Sequence, residues 1–240
     1  LLAVAVKVLQ DRAVAFTAVS PSLHPEELDE ARALADELGA TLHEVETREM
    51  DDSRYRENNP RRCYFCKTHL FTTVREAAKE RGIDVVLDGN NLDDLSDYRP
   101  GLEASREFGV RSPLIEVGLT KREIRSFARQ MDLSVWDKPA MPCLASRIPY
   151  FSPVTGPKLD QIGRAEQFLK TNGFPVVRVR HHGDVARIEV ESERIADLIA
   201  PAMRDRVEEA LKALGFTFVT VDLSGYRSGK LNRMLDETSS

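Results

Sequence analysis

The sequence predicts an α/β protein: a parallel-sheet domain over residues 1–148, followed by a small α+β domain over 149–240. Three observations predict it. An apolar run at residues 13–20 and an alternating one at 41–46 flank a stretch with helical spacing, which is the β-α-β order of a parallel sheet. A third strand-like run, Asp84-Val85-Val86-Leu87-Asp88-Gly89, opens into a long polar loop. Beyond Ile148-Pro149-Tyr150-Phe151-Ser152-Pro153 the order changes to α-β-β-α-β.

The elements follow in turn. Residues 1–9 are apolar and helix-compatible. They carry no cap and no preceding turn, so they read as the middle of a helix and the sequence as a fragment. Ala13 to Ser20 suits a strand buried on both faces, and Pro21 breaks it. Pro25 sits at a first helical position, Leu28, Ala31, Leu34, Ala35 and Leu38 share a face, and Gly39 is a stop. Thr41 to Glu46 alternates like a strand. Residues 47–61 are polar and irregular, and a helix is expected from Cys66 to Arg81, ended by Gly82.

Asp84 to Gly89 is the next expected strand, and Asn90 to Gly101 the loop at its carboxyl end. Ligands bind at that end of open α/β sheets. The loop's carboxylates are suited to Mg²⁺ or to ribose hydroxyls, and equally to plain solvation. A short helix closes at Gly109, and Thr120 with Glu123 forms a capping box for a helix from Lys121 to Met131. In the second domain a helix is expected over Lys158–Asn172, a strand over Val176–His182, and its partner over Val185–Val190. A single helix from Glu193 to Gly215 and a strand from Phe216 to Leu223 complete it. Arg178 and Arg180 share a strand face, an arrangement suited to a phosphate or carboxylate or else simply solvated. The adjacent His181 and His182 are weak metal candidates.

The net charge of −5 disfavours a polyanion partner, whose phosphates need a basic field. No apolar run is long enough to span a bilayer, and no signal peptide is visible. Three cysteines do not make a disulfide framework and fit a reducing cytoplasm.

Those cysteines carry the chemistry. Cys63 and Cys66 form a C-x-x-C pair, whose spacing puts two sulfurs on one side of a helical turn. Cys143 follows far downstream on the proline-stiffened segment Trp136 to Cys143. Neighbouring cations, Arg61, Arg62 and Lys67 at the pair and Lys138 and Arg147 at Cys143, favour thiolates. Three thiolates suit a zinc ion completed by histidine or water, or an iron–sulfur cluster with one open iron. A surface pair unrelated to a buried Cys143 fits the spacing as well.

The combination Val85-Val86-Leu87-Asp88-Gly89-Asn90-Asn91, Asp97-Tyr98-Arg99-Pro100-Gly101, Arg111-Ser112-Pro113-Leu114, Lys138-Pro139, Cys143 to Tyr150, Val177-Arg178-Val179-Arg180 and Gly225-Tyr226-Arg227-Ser228-Gly229 resembles the LarE family. These are ATP-dependent sulfur transferases of the PP-loop pyrophosphatase superfamily, with an adenine nucleotide alpha hydrolase-like domain. The resemblance implies that ATP adenylates a carboxylate of a pyridinium mononucleotide and that sulfur then displaces AMP, leaving a thiocarboxylate on the way to a nickel-pincer cofactor. It implies ATP, Mg²⁺ and, in the three-cysteine branch, a [4Fe–4S] cluster on Cys63, Cys66 and Cys143. In the other branch a cysteine gives up its own sulfur, and here Pro142 stands at that position.

By the same resemblance Asp88, Gly89 and Asn90 line the nucleotide, and Ser146 and Arg147 lie beside the cysteine. Arg178 and Arg180 match a substrate-phosphate pair, and Glu166 and Asp197 match acidic positions acting near the substrate. A homohexamer is implied. The family's Ser-Gly-Gly-x-Asp-Ser loop, which wraps pyrophosphate, does not occur in this sequence. The family places it directly before residues like Leu1 to Ala5, so truncation is expected, and a chain lacking the loop should adenylate poorly. Three other readings compete: a tRNA thiolase of the same superfamily, a structural zinc- or redox-binding module, and an amide-forming PP-loop ligase.

Overall fold

The computed structural model describes residues 1–96, 99–139 and 141–227. Asp97 and Tyr98 of the loop motif, Ala140, and Ser228 and Gly229 of the last motif lie outside the described residues. The chain divides into two compact units, residues 1–55 with 61–141, and residues 56–60 with 142–240.

The first unit begins with α1 (Leu2–Leu9), β1 (Val14–Val19), α2 (Pro25–Leu38) and β2 (Thr41–Glu46). The two strands pair in parallel, Val14 opposite Thr41 through Val19 opposite Glu46. A right-handed crossover through a helix is the ordinary way to make such a pair. Pro25 starts α2 and Gly39, at φ +63°, ends it in the left-handed conformation that glycine adopts without strain. β1 is half-buried along its length, whereas its sequence suggests burial on both faces. Among the described residues it hydrogen-bonds to a strand on one side only. A cavity of about 490 Å³ in this unit is lined by Ala15, Thr17, Val74, Val86 and Asp88 among others.

Short α3 (Ser53–Arg56) precedes α4 (Arg62–Glu80). The long helix starts four residues before the expected Cys66, so both cysteines of the pair lie on it. The expected strand over residues 84–89 is reduced to one parallel bridge, Leu87 with Arg111. Val85 is 55% exposed. α5 (Gly101–Glu107) packs on α4, where a Cβ at Gly101 would stand 3.0 Å from the Lys67 Cγ. Phe71, Ala104 and Val110 form the small core beneath. α6 (Pro113–Glu116) and α7 (Lys121–Gln130) follow, and Thr120 and Glu123 make the expected capping box.

The second unit contains α8 (Gly156–Thr171), the antiparallel pair β3 (Val177–His182) and β4 (Val185–Val190), α9 (Ile195–Ile199), α10 (Pro201–Ala213) and β5 (Phe218–Val221). β5 pairs in parallel with β4, so the sheet order is β3-β4-β5. The expected single helix over 193–215 is broken at Pro201, which lacks the N–H a continuing helix needs and instead begins α10. The core gathers Leu169, Val177, Val179, Ile188, Leu198, Leu211 and Phe216. Nothing in the sequence announces that residues 56–60 join this unit. Asn58 holds them there: its buried amide donates to the carbonyls of Pro149 at 2.7 Å and Ser152 at 2.9 Å.

Candidate functional site

Within the first unit Cys63 is exposed and Cys66 half-buried in the opening turns of α4, one turn apart. The cations expected beside them are engaged elsewhere. Arg61 pairs with Glu103 at 3.0 Å and stacks over Tyr64, and Lys67 lies 5.4 Å over the Phe71 ring. Lys138, expected beside Cys143, is held by Glu27 at 2.7 Å and by Glu30. The carboxylate partners of Arg61 and Lys138 are distant in sequence, which adjacency to a cysteine does not reveal.

A group that sequence reasoning missed joins the same helix to the segment before it. His69 Nε2 meets Asp52 at 3.1 Å, and Arg54 grips the same carboxylate at 2.7 Å while stacking over Phe65. The Arg54 guanidinium, and after it His69, hold the Asp52 carboxyl well below the usual carboxylate range. The only sequence signal was Asp52 two residues before Arg54, a spacing too common to single out.

The loop after residue 87 is organised by Asp88. Its carboxylate accepts from Ser105 Oγ at 2.9 Å, Ser112 Oγ at 2.7 Å and the Asn90 backbone N–H at 3.2 Å. Asp94 pairs with Arg99 at 3.0 Å, and Asp93 accepts the Lys121 N–H at 2.7 Å. These carboxylates therefore shape the loop. Asp88 and Gly89 also line the cavity of this unit, together with Lys67. A Cβ at Gly89 would meet nothing within 4 Å, so lack of space does not require glycine there.

In the second unit Cys143 is half-buried and caps a 3₁₀ turn, Leu144–Arg147. Arg147 and Glu166 form a bidentate pair, 2.8 and 2.9 Å, with both side chains fully buried. Arg147 also donates to the Cys143 carbonyl at 3.2 Å and to Ser146 Oγ at 2.9 Å. The Val179 N–H donates to Glu166 at 2.9 Å.

Arg178 and Arg180 are buried, so the solvated strand face that their alternation permits does not form. Arg180 reaches Glu189 at 2.8 Å and the Ser146 carbonyl at 3.0 Å. Arg187 adds contacts to Glu189 at 3.3 Å and to Asp222 at 3.2 Å. Arg178 stacks over Tyr226 at 5.0 Å. Burial, and after it the charge of Arg147, lowers the Arg178 pKa. Asp197, by contrast, is exposed on α9 and pairs with Arg194 at 2.7 Å. The buried His181 takes Gln161 at 2.9 Å and packs on Phe216.

The second unit thus joins Ser146, Arg147, Glu166 and Arg180 in one polar network beside Cys143, from the 3₁₀ turn, α8 and β3, and the buried Arg178 feels the charges of Arg147 and Glu166. Asp197 has its own partner. Among the described residues no group of three or more His, Cys, Asp or Glu side chains is placed to hold a metal ion. No helix among them is long and apolar enough to cross a membrane.

No family model matches the chain. Comparison with curated proteins gives likenesses over most of the chain. The chain is 47% identical over 232 residues, 97% of its length and 87% of the relative's, to the uncharacterized protein slr1717 of Synechocystis sp.. It is 32% identical over 171 residues, 71% of its length and 66% of the relative's, to an uncharacterized protein of Methanocaldococcus jannaschii. It is 39% identical over 226 residues, 94% of its length and 81% of the relative's, to the pyridinium-3,5-bisthiocarboxylic acid mononucleotide synthase of Lactiplantibacillus plantarum. At that identity and coverage the chain belongs to the family of this synthase, the LarE family.

Proposed function

We propose that this chain is a sulfur transferase that converts a carboxylate of a pyridinium dicarboxylate mononucleotide into a thiocarboxylate, a step toward a nickel-pincer cofactor. The observation that carries the reading is the similarity to the bisthiocarboxylic acid mononucleotide synthase across 94% of the chain. The chemistry needs an activated carboxylate, because the free anion is a poor electrophile. ATP would transfer AMP to the carboxylate oxygen and release pyrophosphate. A sulfur nucleophile would then attack the acyl carbon and expel AMP.

The first unit is proposed to take the nucleotide, with Asp88, Gly89 and Asn90 along its loop and Mg²⁺ entering with the phosphates of ATP. In the second unit Arg178 and Arg180 are proposed to bind the substrate phosphate, the planar guanidinium being suited to bidentate contact. Asp197, exposed on α9, is proposed to face the substrate. Ser146 and Arg147 flank the cysteine.

Cys63, Cys66 and Cys143 are proposed to hold a [4Fe–4S] cluster. Donor chemistry and the one-turn spacing of Cys63 and Cys66 fit it, while the described residues do not by themselves form a closed three-ligand group. A cluster bound there would supply sulfide at an iron without a protein ligand. A homohexamer in a reducing cytoplasm completes the proposal, which mass photometry and localisation test directly.

The chemistry is tested by pyrophosphate exchange into ATP, dependent on the pyridinium dicarboxylate mononucleotide, in anaerobically purified protein. Exchange that requires the dicarboxylate supports adenylation. Exchange stimulated instead by tRNA would favour the thiolase reading. Iron and sulfide analysis of the same preparation tests the cluster, and zinc without sulfide would replace it with a structural site.

A further inference from the structure

We infer that Glu166 is a positioning residue that fixes the Cys143 turn through Arg147, and not a carrier of protons. The inference rests on the sulfur-transfer reading for its purpose but not for its geometry. Glu166 is fully buried on α8. Both its oxygens face the Arg147 guanidinium, at 2.8 and 2.9 Å, and one also accepts the Val179 N–H at 2.9 Å. A carboxylate so engaged presents no free edge to a reacting group, and protonating it would break a fork-shaped pair inside the unit.

The other end of the fork shows what the pair holds. Arg147 Nη1 donates to the Pro142 carbonyl at 2.5 Å, the Cys143 carbonyl at 3.2 Å and Ser146 Oγ at 2.9 Å. One guanidinium therefore spans the residues before, at and after the thiol. Cys143 has ψ 154° and the residues after it turn as a 3₁₀ helix, so the thiol sits at an abrupt change of backbone direction. A 3₁₀ turn of four residues has few internal hydrogen bonds to hold such a bend. The Arg147–Glu166 pair supplies the missing restraint and anchors it to α8 and to β3 through Val179. Lysine at position 147 would keep the charge but lose the fork and the simultaneous reach.

The test reads thiol reactivity, so it does not depend on sulfur transfer being the activity. The full chain is treated with iodoacetamide under anaerobic conditions after removal of metal, and alkylation of each cysteine is followed by peptide mass spectrometry. Glu166→Gln and Arg147→Lys are each expected to raise the Cys143 rate about tenfold, the effect of losing a charged hydrogen bond that limits local opening. Cys63 and Cys66 serve as internal controls and should keep their rates. Val207→Ala, a cavity in the core of the second unit, is the control for stability and should leave Cys143 unchanged. A Cys143 rate within twofold of the parent in both variants, or an equal rise at all three cysteines, overturns the inference. Failure of the pyridinium substrate to react would leave these rates as predicted and would count only against the function.

Discussion

Arg180 and Glu189 meet at 2.8 Å although they are not opposite each other in the sheet. Arg180 stands across from Arg187, and Glu189 across from Arg178. The pair is therefore diagonal, and Glu189 serves two guanidiniums, those of Arg180 and Arg187. One buried carboxylate thereby offsets the repulsion of an arginine-rich hairpin.

Removing that carboxylate while leaving the cations is the severe change. Glu189→Gln is predicted to destabilise the second unit by about 3 kcal/mol, the typical cost of breaking a buried ion pair from one side. Urea denaturation followed by circular dichroism checks it, and a change below about 1 kcal/mol would place the pair with surface salt bridges in effect.

Arg178 stacks on Tyr226, and burial disfavours its charge. On the proposed phosphate role, Arg178→Lys is predicted to weaken binding of the pyridinium mononucleotide about tenfold in calorimetric titration, since an ammonium loses the planar stack on Tyr226 and cannot make a bidentate contact. Equal affinity in the variant would remove Arg178 from the proposed phosphate site.

Gly225 places Tyr226. Its φ is +65°, and a Cβ there would stand 2.8 Å from the Val190 carbonyl oxygen and 2.7 Å from Ser192 Oγ. Gly225→Ala is predicted to cost about 2 kcal/mol in thermal melts, combining left-handed backbone strain with a backbone clash. It should also weaken mononucleotide binding by displacing Tyr226 from Arg178. Loss of stability with unchanged binding would separate the two residues.

Burial lowers the pKa of His181 from its ordinary value of 6.5, with the nearby Lys158 adding to the effect. The unfolded chain then binds the proton more readily than the folded one. Stability from this residue is present above pH 6.5 and is lost as pH falls through that value toward the lowered folded pKa. The difference in unfolding free energy between the parent and His181→Phe should slope across that window and level off above it. A flat difference would show that the imidazole titrates alike in both states.

The local features of the fold were legible where one residue decides them. Pro25, Gly39 and the Thr120–Glu123 box set helix ends that the structure reproduces within a residue. Pro201 was equally legible as a helix breaker, but the apolar spacing around it suggested continuity. The start of α4 at Arg62 was hidden, since Arg61 and Arg62 are cations where a helix ordinarily begins with a cap or an acid. The apolar run at 84–89 reads as a strand, yet a strand needs a partner, and among the described residues only Arg111 supplies a bridge.

The site was legible as a set of residue types and not as a set of contacts. The alternation of Val177 to Arg180 shows that two arginines share a face. That the face is buried depends on Glu166 and Glu189, which arrive from other elements. In the same way Asp88 reads as a ligand in a loop until Ser105 and Ser112 are seen to hold it.

The central claim is that sulfur replaces oxygen on a carboxylate activated by ATP. The most direct measurement is mass spectrometry of the pyridinium dicarboxylate mononucleotide after anaerobic incubation with the full chain, ATP, Mg²⁺ and sulfide. The account predicts a product in which one oxygen has been exchanged for sulfur, formed together with equal amounts of AMP and pyrophosphate. AMP and pyrophosphate released with the dicarboxylate recovered unchanged would contradict it.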